Sequence, residues 1–328
     1  SRQPAKNVPL YAADITPQSE LDKLNVPRET IFIVRDRGTG RPTKKERREL
    51  DSLMDNLYYD EDYPMARFAL VTGGSSGIGE QYVRQLAAEG RNVVVVSNRD
   101  VENRRVAASV RAEFGVEVEP LYIDLTEPTA AEQIFEFCEQ HAIEVDTLVN
   151  NAGMLIFNQL ERTDSARIEA IIALHCTTPT KLCRLFAPVM RERGGGHIVL
   201  MSSVTAWTPF PTISHYAATK SYLRSFGQSL WYEMRGSGVT VTTVFPSAVD
   251  TPLYSLGDGA RRWLRRLGIM QTADEVARRA LRAARRGRRR CFPSLLTKIE
   301  VAICYLLPSW VLLPIMRIPA VRRILERI

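Results

Sequence analysis

Short apolar runs alternate with amphipathic stretches through the middle of this chain. Phe68–Val71, Val93–Val96, Leu121–Leu125, Asp146–Asn150, Ile198–Met201 and Val239–Val244 are brief and mostly rich in Val, Leu and Ile. Such runs suit strands buried on both faces of a parallel sheet. Between them, Tyr82–Ala88, Val101–Phe114 and Thr129–His141 carry apolar residues at helical spacing. A seventh short strand is expected at Arg290–Pro293. The alternation predicts an α/β fold, a doubly wound parallel sheet of about seven strands in a single domain, with its ligand crevice at the carboxyl ends of the strands.

The two ends read differently. Residues 1–65 form a polar, proline-punctuated extension with an expected strand at Ile31–Val34 and an expected charged helix at Lys45–Leu57. It reads as an arm without chemistry of its own. The domain proper spans residues 66–294, and residues 295–328 make an apolar and basic C-terminal extension.

Charge separates the same regions. The 328 residues carry a formal +7, yet everything after residue 260 sums to +13, which leaves −6 for the rest. Twelve arginines lie between Arg261 and Arg290 against Asp274 and Glu275 alone. An anionic partner is therefore to be sought at the C-terminal fifth. The five cysteines are scattered without a Cys-x-x-Cys pair, and the four histidines lack ligand spacing, so neither a disulfide framework nor a metal site is expected. That usage, and no secretory signal near Ser1, leads to the expectation of a cytoplasmic protein, peripheral on a membrane if attached.

Every polar motif falls at the end of an expected strand. Thr72-Gly73-Gly74-Ser75-Ser76-Gly77-Ile78-Gly79 follows the first and opens a helix. Glycines there let backbone approach a phosphate, and the helix N-terminus offers free N–H groups. The second strand runs into Ser97-Asn98-Arg99, with an arginine where a nicotinamide site accepting a free ribose hydroxyl places an acid. NADP(H) is thus expected in preference to NAD(H); a solvated surface arginine is the alternative. The third run ends in Asp124-Leu125, the fourth in Asn150-Asn151-Ala152-Gly153, and the sixth in Pro246-Ser247-Ala248-Val249-Asp250-Thr251. Ser203 lies just past the fifth, thirteen positions before Tyr216, and Lys220 follows Tyr216 by four. On a helix that spacing puts phenol and ammonium on one face, where the positive charge lowers the tyrosine from its usual pKa of about 10. Ser203 can hydrogen-bond a substrate oxygen while the tyrosine exchanges its proton.

Over about Ala66–Pro293 the order of these motifs resembles the short-chain dehydrogenase/reductase family. The resemblance implies a Rossmann-type domain that moves a hydride between nicotinamide and an alcohol or carbonyl carbon. It implies Tyr216 as general acid/base, Lys220 as the group that depresses its pKa and binds the nicotinamide ribose, and Ser203 as the substrate-oxygen ligand. The cofactor set it implies comprises Gly73, Ser75, Ser76, Gly77, Ile78, Gly79, Arg99, Asp124, Leu125, Asn151, Ala152, Gly153, Tyr216, Lys220, Pro246, Val249 and Thr251. Homo-oligomers are common in the family. The sequence departs from the pattern at His175, where an asparagine usually holds a water of the proton relay, and at Ser247, where glycine usually follows the proline. His175 is expected to hold a water or to titrate, altering the relay rather than abolishing activity.

Pro252–Arg266 occupies the place of the substrate lid and carries Leu253, Tyr254, Leu256, Trp263 and Leu264, which favours a small lipophilic substrate: a steroid, a sphingoid ketone or a long-chain acyl ketone. Thr272-Ala-Asp-Glu275 reads as a capping box opening an arginine-rich helix. Val301–Met316 is uncharged and interrupted by Pro308 and Pro314. As a helix it would reach roughly 24 Å, short of a hydrocarbon core of about 30 Å, so an interfacial segment on an anionic membrane surface is expected rather than a span. Cover for the domain or for a second subunit is the alternative. No groove-reading or base-stacking motif accompanies the arginines, and nucleic acid is not expected as a partner. The reading is an NADP(H)-dependent oxidoreductase; the competing ones are a catalytically impaired NADP(H)-binding sensor and a membrane-attached scaffold that reuses the fold.

Overall fold

The structure is a computed structural model that describes residues 67–156, 158–207, 212–250 and 270–306. The N-terminal extension with its expected strand and helix, Thr251, the lid segment and the apolar run from residue 307 onward lie outside the described residues.

Seven parallel strands form the sheet: β1 (Arg67–Thr72), β2 (Asn92–Ser97), β3 (Val118–Tyr122), β4 (Glu144–Asn150), β5 (Gly196–Met201), β6 (Val239–Val244) and, after the short β7 (Val249–Asp250) and β8 (Gln271–Thr272), β9 (Arg290–Cys291). Their order is β3-β2-β1-β4-β5-β6-β9. The chain winds outward from β1 in one direction and from β4 in the other. The crevice between those two strand ends is therefore the switch point at which doubly wound sheets bind ligands. β7 and β8 pair with each other in a second small sheet.

Alternate side chains of each strand serve opposite faces. One face of the sheet, Val94 and Val96 among its side chains, shares a core with Ile134 and Cys138 of α3 (Ala130–Gln140), Leu182, Phe186 and Met190 of α5 (Thr178–Glu192), and Leu223 and Leu230 of α6 (Ser214–Glu233). Val93 and Val95 face the other way. They belong to a second core with Tyr82, Val83 and Leu86 of α1 (Gly77–Ala88), Val106 and Val110 of α2 (Asp100–Phe114), and Val276 and Ala280 of α7 (Ala273–Arg285). Each such fully buried aliphatic side chain is worth about 1.5–3 kcal/mol of transfer free energy.

The third strand differs from the expectation. It runs over Val118–Tyr122 rather than Leu121–Leu125, in register with Val93–Ser97, and Asp124 stands in the loop beyond it. Glu119 and Pro120 made the earlier residues look unlike a buried strand. β3 is the sheet edge, where a proline lacking its N–H and a solvated glutamate are tolerated. The helix around His175 differs as well. Between α4 (Ser165–Ile172) and α5, the residues Ala173–Thr177 form a π-helical turn that carries His175.

The capping box is present on its Thr side: the Thr272 hydroxyl accepts the Glu275 N–H at 3.2 Å and caps α7. Several arginines of this helix act within the domain. Arg279 reaches Glu275 and the Pro293 carbonyl, Arg285 pairs with Glu89, and Arg278 with Asp274 at 3.4 Å. A last helix, α8 (Leu295–Leu306), follows the sheet, packs on the 3-10 turn Val204–Ala206, and exposes Leu295, Leu296 and Ile299.

Candidate active site

The turn after β1 is dictated by sterics. Gly73 and Gly77 hold φ of +65° and +59°, and a Cβ on Gly79 would lie 1.9 Å from the Gly73 carbonyl oxygen. Only glycine meets these conditions without strain. Asn151 locks the turn from β4: its amide donates to the carbonyls of Thr72 and Gly73 at 3.0 and 3.2 Å, and its backbone N–H donates to the Thr72 hydroxyl at 3.0 Å. Ser76 stands at the N-cap of α1 with no side-chain capping bond. The first-turn N–H groups and the positive end of the helix dipole thus face the crevice as an anion site.

At the end of β2, Arg99 is exposed at the N-cap of α2, and among the described residues its guanidinium pairs with no carboxylate. Asp124 lines the same cleft. Partial burial raises the Asp124 carboxyl, but hydrogen bonds from the Thr126 N–H (2.9 Å), the Thr126 hydroxyl (2.8 Å) and the Asn98 amide (3.3 Å) outweigh that and hold it below its ordinary range. The carboxylate is therefore ionised and fixed, ready to accept further donors.

Ser203 ends the fifth strand's loop, 7% exposed, its hydroxyl accepting the Thr205 N–H at 3.2 Å. Tyr216 and Lys220 occupy the first turns of α6 as their spacing requires. The Lys220 ammonium lies 5.5 Å from the Tyr216 ring centroid and donates to the Met201 carbonyl at 2.8 Å. Burial holds it down to about 8, with a small opposing effect from Cys176. Ser202, adjacent to Ser203, anchors the same helix by donating to the Lys220 carbonyl at 2.7 Å. These groups line one cleft of about 430 Å³ with the glycine turn, Arg99, Asp124, Leu125, Asn151–Gly153, Pro246 and Val249. Residues 120 or more positions apart in sequence thus share a single cavity.

His175, expected to hold a water or to titrate, lies buried in the π-helical turn. Its Nε2 accepts the Met154 N–H at 3.0 Å, and its Nδ1 lies 2.8 Å from the Thr219 hydroxyl, which donates onward to the Tyr216 carbonyl at 2.9 Å. This pattern defines a neutral ring protonated at Nδ1. Burial, aided by the Lys220 charge, pushes its pKa well below the ordinary histidine value. Both nitrogens are engaged by protein. The ring also stands edge-on to Tyr216, with centroids 5.7 Å apart.

Sequence reasoning missed several residues at the cleft. Asn98 and Thr126, which fix Asp124, adjoin residues already singled out; behind the cleft, Thr219, which contacts His175, sits within the Tyr-x-x-x-Lys span. Met154 and Leu174 carry no chemical signature and enter only because the chain folds around the cleft.

Among known proteins, a family model described as short chain dehydrogenase matches residues 67–256. The chain is 29% identical over 253 residues to 17-beta-hydroxysteroid dehydrogenase type 3 of Danio rerio, covering 76% of this chain and 79% of that protein. It is 31% identical over 199 residues to the very-long-chain 3-oxoacyl-CoA reductase of Bos taurus, covering 58% of this chain and 62% of that protein. A short-chain dehydrogenase from Sphingobium yanoikuyae, solved in complex with NADPH, superposes with a TM-score of 0.62 at 29% identity, covering 75% of this chain and 97% of the other. With the glycine turn, the seven-strand order and the Ser203, Tyr216 and Lys220 cleft already in place, the match settles the lineage: this chain belongs to the short-chain dehydrogenase family.

Proposed function

We propose that this protein is an NADP(H)-dependent oxidoreductase acting on the carbonyl or secondary alcohol of a lipophilic substrate. The observation that carries the reading is the meeting of Ser203, Tyr216 and a buried Lys220 in the same cleft as an open helix N-terminus. When bound, the nicotinamide supplies or accepts the hydride. The Ser203 hydroxyl hydrogen-bonds the substrate oxygen. Tyr216 gives that oxygen its proton in reduction and takes it back in oxidation. Lys220 stabilises the phenolate that remains, because an ammonium within a few ångströms in a poorly hydrated site is little screened. The first turn of α1 and the glycine loop hold the pyrophosphate, and Asp124 the adenine end.

Arg99 favours NADP(H), since an exposed guanidinium at this strand end suits a ribose 2′-phosphate. Two relatives named for a hydroxysteroid and a very-long-chain oxoacyl thioester support a lipophilic substrate, as do the apolar residues of the lid segment. The exposed Leu295, Leu296 and Ile299 of α8, followed in sequence by Arg317, Arg322, Arg323 and Arg327, support attachment to an anionic membrane interface.

The test is a screen of hydrophobic ketones with NADPH, following the loss of reduced-nicotinamide absorbance. Turnover of at least one class is expected. Tyr216→Phe keeps the ring and removes the proton donor, so it should lower kcat about 10²–10⁴-fold with little change in cofactor affinity. Turnover within a few-fold of wild type would take Tyr216 out of the mechanism.

A further inference from the structure

We infer that Glu300, on the helix beyond the sheet, is a positioning residue for the cofactor loop Pro246–Val249. The inference rests on the oxidoreductase reading above. The Ser247 hydroxyl donates to the Glu300 Oε2 at 2.7 Å. Ser247 lines the cleft beside Pro246 and Val249, whereas Glu300 lies outside residues 67–256 that the family shares. The bond therefore couples the one loop position that departs from the usual glycine to a residue of the extension. A glycine there would have no hydroxyl for Glu300 to hold.

Two further hydrogen bonds and one buried side chain give the bond a rigid base. The Ser294 hydroxyl accepts the Thr297 N–H at 3.0 Å and starts α8, Thr297 is fully buried, and Arg279 ties the Pro293 carbonyl to α7. On its other side, the loop accepts the Val204 N–H at the Pro246 carbonyl at 3.1 Å, and the Gln271 N–H at the Ala248 carbonyl at 2.9 Å. Glu300 thus completes a set of anchors from the Ser203 turn, from β8 and from α8. An O–H to carboxylate bond is charge-assisted and stronger than a neutral one. Its loss frees the loop to sample positions in which Pro246 and Val249 no longer close the cofactor cleft, and a fixed loop binds with a smaller ordering cost.

The measurements are amide hydrogen exchange across residues 246–250 without cofactor, and NADPH titration with steady-state kinetics. Glu300→Ala should speed exchange in the loop, weaken NADPH about five- to tenfold and raise its KM likewise, while kcat at saturation stays within about twofold. Glu300→Gln keeps an acceptor and should remain near wild type in every readout. Ser247→Gly should weaken NADPH as Glu300→Ala does, and adding Glu300→Ala to it should cost nothing more. Unchanged loop exchange in Glu300→Ala, or additive losses in the double variant, would overturn the inference. A loosened loop with unchanged NADPH affinity would overturn the positioning role while leaving the contact. A wild-type protein that binds no NADP(H) would instead sink the cofactor assignment, with the exchange result still reporting on the contact itself.

Discussion

Lys220 places its ammonium 5.5 Å from the centre of the Tyr216 ring and 2.8 Å from the Met201 carbonyl, a cation buried almost completely. Burial holds its pKa down to about 8 against 10.5 for a free lysine. The folded form therefore releases its proton first. Between about pH 8 and 10.5 the unfolded chain binds more protons, so stability rises with pH there, and below pH 8 the full cost of the buried charge applies.

Lys220→Met should accordingly stabilise the cofactor-free protein below pH 8 by on the order of 1–3 kcal/mol, with the unpaired Met201 carbonyl offsetting part of the gain. It should also remove the rise in melting temperature between pH 8 and 10, and abolish turnover. Thermal melts from pH 6 to 10 check this. A variant that melts below wild type throughout would show that the ammonium's bond outweighs its desolvation.

Arg99→Ala should weaken NADPH by one to two orders of magnitude and leave NADH nearly unchanged, because only the 2′-phosphate loses a charge-assisted partner. Titration of both cofactors against wild type and variant decides it. Equal wild-type affinity for the two would remove Arg99 from cofactor choice.

His175 is neutral in the fold, with a pKa pushed well below the ordinary value by burial and by Lys220. The unfolded chain picks up this proton as pH falls through about 6.5 while the folded one does not, so stability declines on acidification below that pH. His197, lowered to about 4 chiefly by burial and also by Arg91, adds a second decline. His175→Asn should therefore flatten the acid loss of stability without moving the acid limb of the pH–rate profile. A limb that shifts in the variant would return His175 to the proton relay.

Full-length protein should pellet with vesicles rich in anionic lipid, release partly in high salt, and bind neutral vesicles more weakly, since each basic residue near such a surface contributes about 1 kcal/mol. Leu296→Asn with Ile299→Asn should reduce the binding while leaving Glu300 and the cofactor cleft alone. Among the described residues no helix is long and apolar enough to cross a membrane. Indifference of the full-length protein to vesicle charge would assign α8 and the residues after it to covering protein instead.

The sequence alone determined the parts of this protein whose physics is local. Short runs of four to six residues predict buried parallel strands, and glycines at 73, 77 and 79 are imposed by positive φ and by a 1.9 Å approach that any side chain would block. The four-residue step from Tyr216 to Lys220 follows from helix pitch, and the Thr272 cap from an unpaired first-turn N–H. Tertiary structure decided what depends on neighbours distant in the chain. β3 began at Val118 because only an edge position accommodates Glu119 and Pro120. His175 became a fixed neutral ring because Met154 and Thr219, 21 and 44 positions away, satisfy its two nitrogens. Glu300 met Ser247 across 53 positions, through elements whose packing places them side by side. A hydrogen bond of that kind leaves no periodicity or spacing in either partner's own segment, so it exists only once the sheet and its flanking helices have assembled.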